Sequence, residues 1–261
     1  SFSVKVNGTT IENTYKIFRI STVKEVNKLS RATVEIIGGD PKENEFEESE
    51  SSTFATGNTV EISLGYEQSN VSVFKGIISK HSLKIKKGFQ TTTSNNLLVL
   101  ECVDVAIKLT NTYTTEIYED KLDSDIITSL LSSVSGLSKS VTFTSVMNDF
   151  LPKYNCSDWD FILQRAELNG MVVLNSDNKV TVTEPKPLLT LPELTVTYGK
   201  GMVDFHAEVN AGSQYSTFDI SSYDPYNEES VSSVSQEPSL IDTGNLDGST
   251  ISKDVSPTKN E

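Results

Sequence analysis

His81 and His206 are the chain's two histidines. Both fall in strand-like sequence, where a structural or half-exposed imidazole is expected rather than a general base. Asp158 and Asp160 could form an acid–base or metal pair, but residues two apart on a helix do not face each other. Acids at a helix start are already explained by the positive end of the helix dipole. Cys102 and Cys156 are the two cysteines. They lack CxxC or any metal-like spacing, which disfavours zinc. Scattered thiols suit a reducing compartment, and the sequence leaves a disulfide between them open. No H-E-x-x-H, G-x-S-x-G, Walker A or G-x-G-x-x-G pattern occurs, and Gly199-Lys200-Gly201 reads as a turn. The expectation is therefore no catalytic residue, no metal ligand and no cofactor. Lys80, Lys84 and Lys86 share one face of a strand, with Leu83 and Ile85 on the other. They are a wet outer face or a basic stripe for an acidic neighbour.

These residues are carried by a β-rich chain. Phe2, Val4 and Val6 alternate up to Asn7-Gly8, a dipeptide that suits a type I′ hairpin. Ile11 and Tyr15–Ile20, Ala32–Ile37, Val60–Tyr66, Val71–Ile85 and Leu97–Val103 continue as strands, with Gly76 a bend or bulge. Residues 1–112 read as a first β-barrel or sandwich, closure removing exposed edges. Residues 113–186 read as an α/β insertion. Asp123-Ser124-Asp125 opens a helix through Ile126, Leu130 and Val134 to Gly136, and Val141-Thr142-Phe143 is a short strand. Strands resume at Leu194–Tyr198, Val203–Val209 and Gln214–Ile220, so 187–227 read as part of a second barrel. Residues 228–261 lose periodicity and read as an irregular arm or linker. The acidic run Lys42–Glu50 reads as a solvated loop.

Tyr154–Val182 is the most informative stretch. Ser157 is a good N-cap with Asp160 three places on, as in a capping box. Trp159, Ile162 or Leu163, and Ala166 fall on one face at helical spacing, and Gly170 is a natural stop. An apolar hairpin follows, with Asn175–Asn178 as its polar turn. The order S-D-W-D-F-x-x-x-R-A-E-x-N-G (Ser157, Asp158, Trp159, Phe161, Arg165, Ala166, Gly170), followed by that hairpin, resembles the N-terminal hub region of VgrG proteins. These are type VI secretion spikes related to contractile phage-tail baseplate hubs. Arg31–Ile36 before Gly39-Asp40-Pro41, Val73–Ile78 and Leu100–Asp104 are similar to further family strands. Late control protein D-like hubs share the pattern.

The resemblance implies a fold that is mainly β with an α+β insertion: a hub-type barrel, an α/β domain and the start of a second barrel. It implies a homotrimer that adapts a six-fold tail tube to a three-fold spike. Partners would be the chain itself, tail-tube and baseplate proteins, and effector cargo, with assembly in the bacterial cytoplasm before secretion or injection. In that setting the Lys80, Lys84 and Lys86 stripe would meet a neighbouring subunit or the tube. The OB-like domain and β-helical needle of complete spikes are not readable in this sequence. A start at Ser rather than Met suggests a processed, trimmed or cloned piece.

A net charge of −14 opposes binding to nucleic-acid phosphates. No apolar run is long enough for a membrane span, and no signal peptide is readable. Two other classes compete with the hub. One is a β-rich carbohydrate- or ligand-binding module using Tyr223 and Tyr226 beside Asp224-Pro225. The other is a hydrolase with scattered residues.

Overall fold

The computed structural model describes residues 1–11, 15–39, 45–67, 69–85, 96–185, 195–202, 204–208, 210, 218–235, 250–251 and 259–260. The chain is mainly β and divides into two units, Ser1–Glu184 and Pro185–Glu261. Lys86 and the turn residues Asp40 and Pro41 lie outside the described residues.

The first unit opens with a seven-stranded antiparallel sheet. Its strands are β1 (Phe2–Val6), β2 (Thr9–Thr10), β3 (Lys16–Val23), β4 (Arg31–Ile37), β5 (Thr59–Tyr66), β6 (Ser69–Lys84) and β7 (Leu97–Val103). They lie in the order β2-β1-β5-β6-β7-β4-β3. Alternation dictates which face is buried: Val4 and Val6, Ala32, Val34 and Ile36, and Val60 and Ile62 all point into one core. Asn7 and Gly8 both take positive φ, as a two-residue type I′ turn requires.

β6 is the organising strand. From Ser69 to Ile77 it pairs with β5, and from Ile77 to Lys84 it pairs with β7. One 16-residue strand thus serves two neighbours and turns the sheet upon itself. Gly76 sits where it passes from one to the other. A Cβ there would stand 2.8 Å from the Val103 carbonyl carbon and closer still to its oxygen. Among the described residues the expected barrel does not close: β2 and β3 stand at the two ends of the strand order, each paired on one side. β2 has two residues, and a bulge between Ile17 and Arg19 interrupts β3. Neither edge offers a matching run of N–H and C=O groups.

The rest of this unit is α+β. A 3-10 turn (Val105–Leu109) leads into β8 (Tyr113–Leu122). Two helices follow, here called α2 (Asp123–Ser132) and α3 (Asp158–Leu168), after the single turn α1 (Glu47–Glu50) upstream. β9 (Ser138–Val141) and β10 (Met147–Ser157) lie between them, and β11 (Val172–Ser176) and β12 (Lys179–Thr183) come after. β11, β12 and β9 form one small sheet, with β12 and β9 parallel. β8 and β10 form a separate two-stranded antiparallel ribbon. Ile126, Leu131, Trp159, Ile162, Ala166 and Val180 share the second core, which Val103 and Leu29 also enter from the sheet side.

Several expectations need correction. β9 starts three residues earlier than Val141–Phe143, because Ser138–Val141 finds β12 as a partner while Phe143 stays exposed. The acidic run is not all loop: Glu47–Glu50 makes a helical turn, and Glu48 accepts a hydrogen bond from the Gly39 N–H at 3.0 Å. In the second unit, the described residues of Leu194–Tyr198 and Val203–Val209 hold no strand, only isolated bridges at Thr197. A three-stranded sheet forms instead from β13 (Phe218–Asp224), β14 (Glu229–Val234) and β15 (Lys259–Asn260). β14 falls where an irregular arm was expected. All six of its residues are exposed, so it carries no burial alternation to read.

Candidate functional site

The S-D-W-D-F stretch becomes a helix with both ends closed. Ser157 Oγ accepts the Asp160 N–H at 3.1 Å and donates to the Asp160 carboxylate at 2.6 Å. At the other end the Gly170 N–H reaches the Glu167 carbonyl and the Met171 N–H reaches Ala166. Gly170 has φ +65. This is the Schellman arrangement. Trp159, Phe161 and Ala166 are buried, and Phe161 stacks on Tyr118 of β8 at 5.9 Å between ring centroids.

Arg165 has a role that spacing alone does not give. Its Nε and a terminal nitrogen donate to the two oxygens of Asp123 at 2.6 and 2.9 Å. Asn169 adds a bond to Asp123 at 2.8 Å, and Asn148 of β10 bonds both Asp123 and Arg165. One buried network thus ties α2, α3 and β10. Burial pushes the Asp123 pKa up, but the bonds from Arg165 and Asn169 and the guanidinium charge outweigh it and hold the carboxyl below its usual range. Asp123 was expected as a helix opener only. The cap residue of α2 is Leu122, whose side chain has no acceptor; the Ser124 N–H is taken instead by Thr144 Oγ1 at 3.0 Å.

Asp158 also gains a partner. Lys153, wholly buried on β10, donates to the Asp158 carboxylate and to Thr114 Oγ1 at 2.7 Å. Asp158 and Asp160 are therefore used separately, one by Lys153 and one by the Ser157 cap.

The hairpin after the helix docks on the large sheet. Its turn is two residues, Asp177-Asn178, both at positive φ, rather than Asn175–Asn178. Asn175 Oδ1 accepts the Ser30 N–H at 2.7 Å, and Ser30 Oγ donates to the Asn175 carbonyl. Asn27 and Val173 exchange two bonds of 2.8 Å. Asp104, fully buried, accepts from the N–H groups of Ala106 at 2.9 Å and Asn178 at 2.8 Å. Burial is the largest influence on its carboxyl and raises its pKa.

The lysine stripe is matched within its own sheet. Lys80 pairs with Glu101 at 2.9 Å and Lys84 lies 3.9 Å from Glu35, all on the outer face. His81 bridges Ser49 Oγ and the Phe54 carbonyl; the carbonyl can only accept, so Nδ1 donates there, and Nε2 lies 2.9 Å from Ser49 Oγ. His206 is exposed, 4.0 Å from Glu208. Both cysteines are free, and burial pushes the Cys102 thiol up to about 12. Tyr223 and Tyr226 are exposed, but both Asp224 oxygens are engaged by Tyr226 and Asn227 of its own turn. Among the described residues no cluster of His, Cys, Asp and Glu could hold a metal, and no helix is long and apolar enough to cross a membrane.

Sequence reasoning missed the β8–β10 ribbon. Leu151 opposite Tyr118 faces inward, while Ile117, Phe150, Pro152 and Tyr154 stand exposed. With apolar residues on both faces, period-2 alternation vanishes.

The whole chain, residues 1–261, matches the family model described as the Alg8 N-terminal domain. No curated protein matches it in sequence. Among solved structures it is similar to the 43 kDa tail protein of prophage MuSo2 from Shewanella oneidensis, with TM-score 0.62, 10% identity and 84% of this chain covered. It spans 63% of that protein's length. The tail protein from Neisseria meningitidis MC58 gives TM-score 0.60 at 14% identity, over 100% of this chain and 70% of that one. A chain of the half-lidded Francisella PdpA-VgrG complex gives 0.53 at 10% identity, over 92% and 42%. At such identities the shared property is the fold, which is of the phage-tail and type VI kind.

Proposed function

This chain belongs to the Alg8 N-terminal domain family, and we propose that it is a structural hub, the spike base of a contractile injection system. In this reading copies of the chain form a homotrimeric ring that joins a six-fold tail tube to a three-fold spike. The observation that carries it is the tail-protein likeness running through the whole chain rather than one motif. Two well-packed cores tied by buried polar bonds suit a part that transmits load and does no chemistry. Its partners would be tail-tube and baseplate proteins and effector cargo. It would be assembled in the bacterial cytoplasm before joining a secreted or injected particle.

The test is mass in solution, by light scattering, followed by electron microscopy of the peak with tail-tube protein added. A ring of three chains that caps tube ends is expected. A monomer that ignores tubes at every concentration would overturn the reading.

A further inference from the structure

Asp104 is enclosed by parts of the first unit that meet only in the folded chain. It follows β7 and caps the 3-10 turn Val105–Leu109. Its N–H donates to the Ser30 carbonyl at 3.0 Å, and its carboxylate accepts the Asn178 N–H of the hairpin turn. It is wholly buried, yet among the described residues it has no ion pair. The charged groups on the elements around it do not supply one. Lys108 of the 3-10 turn, Arg31 of β4 and Lys179 of β12 are exposed, and Glu101 of β7 is held by Lys80. Lys24 reaches Asp177 instead, at 3.3 Å. Asp177 is the charged group whose field reaches Asp104, and it has the same sign. One of its oxygens is buried with no hydrogen-bond partner. A carboxylate enclosed without a cation, beside a second carboxylate, is held in its ionised form only at a cost.

We propose that Asp104 is a proton-loaded catch: it takes up one proton from solvent as the hairpin seats on the sheet, so acid fastens this junction and rising pH loosens it. The proton cancels the repulsion from Asp177, and the carbonyl oxygen of the neutral carboxyl still accepts an N–H. Burial is the largest influence on Asp104 and raises its carboxyl; the bonds from Ala106, Asn175 and Asn178 lower it, Asp177 raises it again, and the balance is upward. The folded value therefore stands above the unfolded one near ~3.9. Between the two, the closed junction holds more protons than the open one, so it strengthens as pH falls. Asp123, whose carboxyl is shifted downward, acts with the opposite sign and below that window. All of these groups lie in the first unit of one copy, so the catch does not depend on the ring.

The experiment is amide hydrogen exchange on the full chain, read by mass spectrometry on the hairpin peptides Val172–Thr183. It runs from about pH 7.5 down to about pH 4.5, with rates corrected for the intrinsic pH dependence of exchange. Protection is expected to rise toward acid, by about tenfold for each unit that the folded value exceeds ~3.9. Asp177→Asn removes the neighbouring charge and suits the turn, since Asn tolerates the φ of +54 found there. It should raise protection at neutral pH and flatten the slope. Asp104→Asn cannot ionise and should show no slope, whatever its overall protection. A wild-type slope under about twofold across the range, or one of opposite sign, overturns the catch. So does a slope that persists in Asp104→Asn, which would give the proton to another group. The full wild-type slope in Asp177→Asn overturns the pairing of the two carboxylates.

Discussion

Replacing Arg165 of α3 by Met removes the cation from Asp123 while keeping an unbranched aliphatic side chain at that position. The Asp123 side chain is 5% exposed and the Arg165 side chain 13%, so solvent screens the pair little. Breaking a buried pair from one side costs about 3–5 kcal/mol, because the remaining charge is stranded. Asn169 and Asn148 still donate to Asp123, which places the expected loss near the lower figure. For a unit of this size, 3–5 kcal/mol corresponds to roughly 6–20 °C in melting temperature. The pH dependence gives a second readout. The folded pKa of Asp123 lies below its unfolded value, so its stabilisation is present above the unfolded value near ~3.9 and fades as pH falls through the folded one. In Arg165→Met the same carboxyl, still buried, protonates readily. The gap between wild type and variant should therefore be full at neutral pH, begin to narrow above pH ~3.9 as the variant's carboxyl protonates, and narrow further below it as wild type loses its own contribution. Thermal denaturation by circular dichroism across that range measures both. A loss under about 1 kcal/mol, typical of an exposed pair, or a gap that does not change with pH, would refute the reasoning.

Trp159→Ala should cost about 3–5 kcal/mol by opening a hole in the second core, and an unchanged midpoint in chemical denaturation would contradict the packing described. Gly76→Ala should destabilise by roughly 1–3 kcal/mol or prevent folding, since the new Cβ meets the Val103 carbonyl; soluble variant with wild-type melting would show that β6 gives way there. Cys102, its thiol pushed up to about 12 by burial, should resist a thiol-specific reagent in the native protein and react once denatured, as timed labelling with mass readout would reveal. Prompt native labelling at Cys102 would mean that the sheet core opens.

Much of this fold is legible from residue pattern. The Asn7-Gly8 hairpin, the Ala32-Val34-Ile36 alternation and the Ser157 cap are short-range signals, each fixed within a few residues. The ribbon was hidden because Ile117 and Phe150 are apolar yet exposed, which blurs the alternation with Tyr118 and Leu151. The open edge was hidden because closure depends on partners far away in sequence, and β2 is too short to supply one. Arg165 stood out as part of a motif, but its partner Asp123 lies 42 residues earlier, beyond the reach of helical spacing. β14, exposed throughout, gave burial-based reading nothing to use.

The latch between Ser30 and Asn175 has a consequence for synthesis. These residues are 145 positions apart, so the strands near the start of the chain are made long before the hairpin that secures them. Asp104 is born into water as a charged group and is enclosed only when Asn178 arrives. Bringing such distant segments together delays the last step of folding more than it affects the final stability. A nascent chain halted before the hairpin would hold its sheet without its clasp, leaving Leu29 and Val103 uncovered. In the cell that interval, rather than the finished protein, is when a chaperone would find apolar surface to hold.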